Sequence, residues 1–230
     1  MEHYTYLLIN FFTIIICFIF SFDRRIQFYK HFKEFIISCS IVAFFFIVWD
    51  AWFTKMGVWW FNEDYLIGFK ILNLPIEEVL FFFCIPFSCV FTYYCLDKFF
   101  DLKWANAFNT IIAFITIIVC AVVVLLYHHH IYTLVTAVLT FSTMVFIHLV
   151  SRKEWLGQAS LVYCILMLGF FPVNGVLTGT GLENPIVNYN SEDFLGIRMG
   201  TIPIEDAVYG YSLYIWVLYF FYFFKKRFEK

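Results

Sequence analysis

The sequence predicts an all-α integral membrane protein with seven transmembrane helices, arranged as two parallel three-helix repeats plus a linker helix. Three observations support this prediction. The 230 residues are 63% hydrophobic and only 14% charged, whereas soluble domains carry about 25% charged residues. Seven apolar runs each have about 20 residues, the length that a helix needs to cross a bilayer. A short acidic motif recurs in front of the third and seventh runs.

All seven runs are expected to be helices, because a helix satisfies its backbone hydrogen bonds internally where no water is present. In chain order the predicted spans are Tyr4–Phe22, Lys33–Phe53, Ile76–Cys95, Trp104–Leu126, Ile131–Val150, Leu156–Leu177 and Ile204–Phe224. The third and seventh directly follow Pro75 and Pro203, and proline is favoured where a helix begins. Only residues 127–130 separate the fourth and fifth spans, which predicts a tight hairpin, with one long helix as the alternative.

The charge distribution predicts the topology. The first span has no basic residue before it and no small-residue cleavage site after it, so we expect a retained helix rather than a signal peptide. Twelve of the fifteen Lys and Arg residues lie in the first, third and fifth loops and the C-terminal tail, Lys230 included. The positive-inside rule then predicts a multi-pass cell-membrane protein with its N-terminus outside and its C-terminus in the cytoplasm.

An internal duplication is indicated by two segments that align without a gap at an offset of 128 residues. Tyr65–Phe81 reads YLIGFKILNLPIEEVLF and Asp193–Tyr209 reads DFLGIRMGTIPIEDAVY. We therefore predict a first three-helix repeat over residues 1–100, a linker transmembrane helix over 101–127 and a second repeat over 128–230. An odd linker helix restores the chain direction, so the repeats are parallel and both acidic pairs are expected at one face, the outer one by the charge count.

Two interpretations of the acidic pairs, Glu77-Glu78 and Glu205-Asp206, remain open. Acidic side chains in a first turn complement the positive end of the helix dipole, which is a purely structural role. Ionisable residues at membrane depth, however, usually mark functional sites, and here they occur twice. Adjacent helical residues project about 100° apart, so one acid of each pair can face the bundle while the other supports it. Burial would keep a carboxyl protonated, as a general acid requires.

A Pro-x-Glu-Glu/Asp motif that opens a transmembrane helix twice in a small, very apolar chain resembles the membrane lycopene cyclases. These occur as two small subunits in some bacteria, as fused chains, and as part of fungal bifunctional cyclase/phytoene synthases. The resemblance covers essentially the whole chain and implies that Glu77, Glu78, Glu205 and Asp206 are the catalytic or substrate-site acids. The second copy has Asp206 where the first has Glu78, which leaves room for unequal halves.

The resemblance implies a lycopene β-cyclase of carotenoid biosynthesis, an isomerase of the intramolecular lyase type. An acid would protonate a terminal double bond of lycopene, a neighbouring alkene would close the ring, and a base would remove a proton. No redox change is needed and no G-x-G-x-x-G follows a strand, so no flavin or nicotinamide cofactor is expected. The expected partners are the lipophilic carotenoid and the lipid bilayer; without a basic patch, no nucleic acid is expected.

Further residues are expected to bind the substrate: Pro75, Pro203, Asp50, Asn174 and Trp52. Asp50 and Asn174 stand at corresponding ends of the second and sixth helices, from which they could hydrogen-bond the acids across a cavity. Trp52 belongs to a group of four tryptophans between residues 49 and 60. That group is either an interfacial aromatic belt or a cavity lining whose ring faces stabilise a carbocation.

The remaining polar residues suggest no metal site. His128–His130 is interpreted as a polar turn between two spans, because it has no acidic or cysteine partner nearby. The seven cysteines form no CxxC pair and are expected to be reduced and buried. Lys70 and Arg198 are either ion-pair partners of Asp64 and Glu192 or solvated charges.

Two other functions remain as alternatives. A small-solute transporter can also have three-plus-one-plus-three parallel repeats, although the acids here lie at the membrane edge rather than at mid-membrane. A non-catalytic carotenoid-binding membrane protein would tolerate the loss of all four acids. A retinal photoreceptor is excluded, because the seventh span contains no lysine for a Schiff base.

Overall fold

The computed structural model describes residues 2–228. The residues outside this range are Met1, Glu229 and Lys230, the last of which belongs to the basic C-terminal tail. The long helices are α1 Thr5–Phe20, α2 Phe32–Met56, α3 Ile76–Phe99, α4 Asn109–Leu126, α5 Ile131–Met144, α6 Leu156–Leu177 and α7 Ile204–Phe228. Short strands lie in two loops: β1 Trp59–Phe61, β2 Lys70–Ile71, β3 Leu74–Pro75, β4 Val187–Tyr189, β5 Arg198–Met199 and β6 Ile202–Pro203.

The seven helical segments are long and apolar enough to cross a membrane, which confirms the predicted all-α, multi-pass class. Large apolar side chains cover the outside of the bundle; on α4, for example, Ile118 is 60% and Leu125 is 74% exposed. Such a surface is stable only when hydrocarbon surrounds it. The fourth and fifth spans are separate helices packed against each other, so the hairpin prediction is correct.

The helix bounds differ from the predicted spans where polar residues continue a helix beyond its apolar run. Helix α3 reaches Phe99 instead of Cys95, and α7 reaches Phe228 instead of Phe224. The last turn of α7 carries three basic side chains, which interact favourably with the negative end of the helix dipole. Helix α5 continues as a π-helical segment over Val145–Val150, which completes the fifth span.

Helices α3 and α7 occupy the centre of the bundle. Helix α1 packs against α3 and α5 packs against α7, while α2 packs against α7 and α6 against α3. Two apolar cores lie between these helices, one around Phe82 and Phe87 and the other around Tyr214 and Leu218. The first turns of α3 and α7, which carry the acidic pairs, are therefore surrounded by protein.

Matching β-hairpins precede α3 and α7. Strands β2 and β3 pair Lys70 with Pro75, and β5 and β6 pair Arg198 with Pro203. Gly68 and Gly196 stand two residues before the first strand of each hairpin, with φ values of 84° and 74°, a conformation that glycine adopts without the steric cost of a Cβ. The two hairpins are thus connected to the first turns of α3 and α7 in the same way.

The α2–α3 and α6–α7 loops are joined over one end of the bundle. Strands β1 and β4 pair antiparallel, with Trp59 opposite Tyr189, and the backbone N–H of Asn62 donates to Ile186 O at 2.8 Å. This cover closes the same end at which α3 and α7 begin.

Candidate active site

A small chamber lies beneath the β1–β4 cover. Its cavity volume is about 70 Å³ and three carboxylic acids line it: Asp50 from α2, Glu78 from α3 and Asp206 from α7. The remaining lining residues are aromatic, apolar or amide side chains: Tyr6, Trp59, Phe61, Phe81, Tyr132, Asn174, Leu177, Val187, Tyr189 and Tyr209. Burying three acids together is costly unless hydrogen bonds compensate them, so their partners define the site.

Glu78 receives a hydrogen bond from a helix of its own half of the chain. The hydroxyl of Tyr6, on α1, donates to Glu78 Oε2 in a short hydrogen bond. Tyr6 is completely buried and Glu78 is 9% exposed. The contact exists because α1 packs against α3 and places its first turns beside the start of α3.

Asp206 receives two such bonds, one on each carboxylate oxygen. Tyr132, at the start of α5, donates to Oδ1 at 2.5 Å, and Tyr189, on β4, donates to Oδ2 at 2.7 Å. Burial raises the pKa of Tyr189 well above its usual value, and the adjacent Asp206 carboxylate raises it further. Tyr189 therefore remains a protonated donor throughout the physiological pH range.

Asp50 is held by the cover. It is 2% exposed, and its Oδ1 accepts hydrogen bonds from Trp59 Nε1 at 2.6 Å and from Thr54 Oγ1 at 3.3 Å. Its other oxygen, Oδ2, has no hydrogen-bond partner, and the carboxyl interacts electrostatically with Glu78. Asn174 lines the chamber from α6, as Asp50 does from α2.

The neighbouring acids Glu77 and Glu205 do not line the chamber. Glu77 Oε1 accepts the backbone N–H of Ile67 at 2.7 Å, and Glu205 Oε1 accepts that of Leu195 at 2.8 Å. Thr133 also donates to Glu205 Oε1, at 2.6 Å. Since adjacent helical residues point about 100° apart, each acidic pair is divided into one acid in the chamber and one that fastens the preceding loop.

The other expected substrate-binding residues lie outside the chamber lining. Pro75 and Pro203 are buried in the hairpins and begin their helices. Trp52 is 50% exposed on the outside of the bundle, whereas Trp59 from the same group is 6% exposed and lines the chamber. The difference arises because Trp59 belongs to strand β1, which folds back over the cavity.

Four tyrosines of the chamber were not singled out from the sequence: Tyr6, Tyr132, Tyr189 and Tyr209. The sequence contains a signal for three of them. Tyr6 and Tyr132 lie 126 residues apart, each near the start of the first helix of its half, close to the repeat offset. Tyr209 aligns with Phe81 in the duplicated segment. No comparable signal marks Tyr189.

The expected partners of the two hairpin cations are corrected by the structure. Lys70 pairs with Glu63 at 2.8 Å rather than with Asp64. This pair is exposed and therefore contributes little to stability. Arg198 donates to the backbone oxygen of Thr201, and its guanidinium lies 4.9 Å from the ring centroid of Phe194. The Arg198 guanidinium also lies 5.7 Å from the ring centroid of Tyr189, whose hydroxyl donates to Asp206.

The histidine turn holds no metal-like cluster. His130 Nδ1 lies 2.7 Å from Glu192 O, which ties the α4–α5 turn to the α6–α7 loop. Across residues 2–228, His, Cys, Asp and Glu side chains form no group of three or more that could hold a metal ion.

Comparisons with known proteins all point to the same family. The sequence model of the lycopene cyclase family matches residues 3–96 and 129–224. A bifunctional lycopene cyclase/phytoene synthase of Aspergillus niger is 36% identical over 63 residues, which are 27% of this chain and 10% of that protein. A second protein with that description, from Phaeosphaeria nodorum, is 30% identical over 64 residues, 28% of this chain and 11% of that one. The matched segments thus span only about a tenth of these relatives. No solved structure matches the chain.

Proposed function

The chain belongs to the lycopene cyclase family, and from this premise we propose that it is a lycopene β-cyclase. In this proposal it is an isomerase, an intramolecular lyase, that closes the linear ψ ends of lycopene into β-ionone rings. The observation that carries the proposal is the chamber in which Glu78 and Asp206, from equivalent helix starts, face one aromatic cavity. The reaction changes no oxidation state, so the proposal requires no redox cofactor.

The proposed proton donor is the Asp50–Glu78 pair. Two carboxyl groups that line one buried, largely apolar chamber resist being ionised together, as in other catalytic carboxyl dyads. One of the two therefore keeps a proton that can be transferred to the terminal double bond of a ψ end. The Tyr6 hydroxyl orients Glu78 and supports its anion once the proton has left.

The proposed base is Asp206. Hydrogen bonds from Tyr132 and Tyr189 to its two oxygens hold the carboxyl group in place at the chamber wall. After protonation the cation at the chain end is attacked by the neighbouring alkene, and the new carbon–carbon bond closes the six-membered ring. Asp206 then takes a proton from the ring carbon next to the cation, which leaves the ring double bond. One proton enters and one leaves, so the product is an isomer of the substrate.

The aromatic lining is suited to a carbocation. Trp59, Phe81 and Tyr209 all face the chamber, and the electron-rich face of an aromatic ring attracts a cation most strongly when water is excluded. The centroids of Trp59 and Tyr132 are 5.0 Å apart in an edge-to-face arrangement, which fixes the ring planes. In the proposed mechanism these rings stabilise the intermediate without reacting with it.

The proposed architecture is two parallel three-helix repeats, residues 1–100 and 128–230, with the linker helix at 101–127. It is supported by the matching hairpins, by the Tyr6–Glu78 and Tyr132–Asp206 pairs, and by the reciprocal packing of α2 on α7 and α6 on α3. The charge asymmetry supports an N-terminus outside the cell. The chamber would then lie near the outer face of the membrane.

The proposal is tested by expressing the chain in a bacterium that accumulates lycopene and separating the pigments by chromatography. We expect yellow β-ring carotenoids with the wild-type chain and a loss of about 100-fold or more with Glu78→Gln or Asp206→Asn, as is typical when a general acid or base is removed. Glu34→Gln is the matched control, because Glu34 is also a buried acid (8% exposed) but lies at the opposite end of α2 from Asp50. Unchanged lycopene with well-expressed wild-type protein would contradict the proposal.

A further inference from the structure

A second cavity lies inside the membrane-spanning part of the bundle. It is a groove of about 420 Å³ between α1, α3, α6 and α7. On α3 it runs from Phe81 to Thr92, which corresponds to about 16 Å along the helix axis. The groove is thus elongated and parallel to the helices, unlike the compact acidic chamber at their ends.

The groove and the chamber share a wall. Phe81, Asn174 and Tyr209 line both cavities. These side chains therefore lie between the acids of the chamber and the apolar space of the groove. A linear molecule that lies in the groove can therefore reach the carboxyl groups with one of its ends when these side chains move aside.

The groove is suited to a hydrocarbon. Three of its hydroxyls donate to backbone oxygens: Ser88 to Thr13 O at 2.7 Å, Thr13 to Ile9 O at 2.8 Å and Tyr163 to Ala207 O at 2.6 Å. Its rim includes Phe12 and Ile165, which are 66% and 39% exposed on the lipid-facing surface. An apolar ligand dissolved in the bilayer can therefore reach the groove sideways without passing through water.

In the other half of the chain, larger side chains occupy three positions equivalent to the lining of this groove. The residues 128 positions after Ser88 and Thr92 are Trp216 and Phe220, and the residue 128 positions before Gly210 is Phe82. Trp216 stacks on a neighbouring ring and donates its indole N–H to Thr143 at 2.9 Å, while Phe82 is 1% exposed in the core. At these positions the side chains thus leave space beside Gly210 and Thr92 but fill the equivalent places around Trp216 and Phe82.

We propose that this groove binds the polyene chain of a linear carotenoid, with one ψ end in the acidic chamber and the rest of the chain directed into the bilayer. The inference rests on the proposed cyclase function, which it deepens. A single groove receives a single end at a time. Formation of a second ring then requires that the half-cyclised molecule leave, turn around and bind again.

The test measures lycopene that co-purifies with the chain from lycopene-accumulating cells, in a Glu78→Gln, Asp206→Asn background that prevents turnover. Gly169→Phe blocks the groove: an added Cβ at Gly169 meets no atom within 4 Å, so the ring extends into the open space. Thr92→Phe, which copies the equivalent Phe220, blocks the opposite wall and serves if the first variant does not fold. Leu168→Phe is the matched control, because Leu168 is 78% exposed to lipid.

We expect the control to retain lycopene at the parent level and each blocked variant to retain about tenfold less or lower still. Equal retention in the blocked variants, as would follow if a lipid acyl chain fills the groove, overturns the inference, and so does a parent chain that retains no lycopene. Conversion by the wild-type chain is measured in parallel. Groove-dependent retention without any conversion would overturn the cyclase proposal and leave the groove as a carotenoid site.

Discussion

Removing a single hydroxyl from the chamber, by Tyr132→Phe, tests the hydrogen bonding of Asp206 separately from the packing around it. The Tyr132 ring is 3% exposed and lies between Trp59 and Tyr189, with centroid distances of 5.0 and 6.1 Å. A phenylalanine ring keeps these contacts. What is lost is the donor that lies 2.5 Å from Asp206 Oδ1.

The size of the effect follows from the charge of the acceptor. A hydrogen bond to an ionised group contributes about 1.5–3 kcal/mol, which corresponds to about 10- to 150-fold in rate if the carboxylate is required in the reaction. Because Tyr189 still donates to Oδ2, we expect the lower end of this range. The predicted initial rate of lycopene cyclisation in proteoliposomes is about tenfold below that of the wild-type chain.

A matched control separates this effect from the general cost of removing a buried phenol. Tyr214 is 1% exposed, and its hydroxyl has no hydrogen-bond partner, so Tyr214→Phe should change the rate by less than about twofold. Equal rates for the Tyr132→Phe, Tyr214→Phe and wild-type chains would refute the assignment of Tyr132 as a positioning residue for a catalytic Asp206.

Three further predictions concern the surroundings of the chamber. Glu77→Gln and Glu205→Gln should lower the thermal unfolding midpoint in detergent and leave a measurable cyclisation rate, because both carboxylates hold a loop N–H, Glu205 also accepts from Thr133, and neither lines the chamber; complete inactivation of a well-folded variant would contradict this. The raised pKa of Tyr189 means that its neutral form is favoured in the fold, so its contribution to stability is complete below about pH 10 and falls above it; Tyr189→Phe should flatten this alkaline loss in unfolding measurements. Gly196→Ala should reduce the free energy of unfolding by about 1 kcal/mol, because its φ of 74° disfavours a Cβ; an unchanged value would contradict this.

The helices and the family could be read from the sequence because their signals are local. An apolar run of sufficient length specifies a transmembrane helix whatever surrounds it, and all seven predicted spans correspond to helices. The duplicated acidic motif is likewise contained within 17 residues, so it could be recognised before any packing was known. Only the exact helix ends were not predicted; α3, for example, extends to Phe99.

Which acid of each pair lines the chamber could be determined only from the structure. The sequence predicts that adjacent acids diverge, but it does not say which one faces the bundle, since that depends on the rotation of α3 and α7 about their axes. In the structure Glu78 and Asp206 line the chamber, whereas Glu77 and Glu205 accept hydrogen bonds from the preceding loops.

The aromatic residues of the β1–β4 cover could not be predicted, for a different reason. Trp59 and Tyr189 reach the chamber because β1 pairs with β4 across more than a hundred residues of chain. Such long-range strand pairing leaves no periodic pattern in a segment of three residues. The sequence therefore does not tell which of the two nearby tryptophans, Trp52 or Trp59, lines the cavity; in the structure only Trp59 does.

The central claim is that a carboxyl proton of the chamber starts the cyclisation and stays in the product. It is tested most directly by incubating the purified chain, in lipid nanodiscs equilibrated with D₂O, with unlabelled lycopene and analysing the carotenoids by mass spectrometry. The account predicts an isomer of lycopene that carries one non-exchangeable deuterium for each ring formed, and no such product with Glu78→Gln. Rings without deuterium, or rings formed equally well by Glu78→Gln, would contradict it.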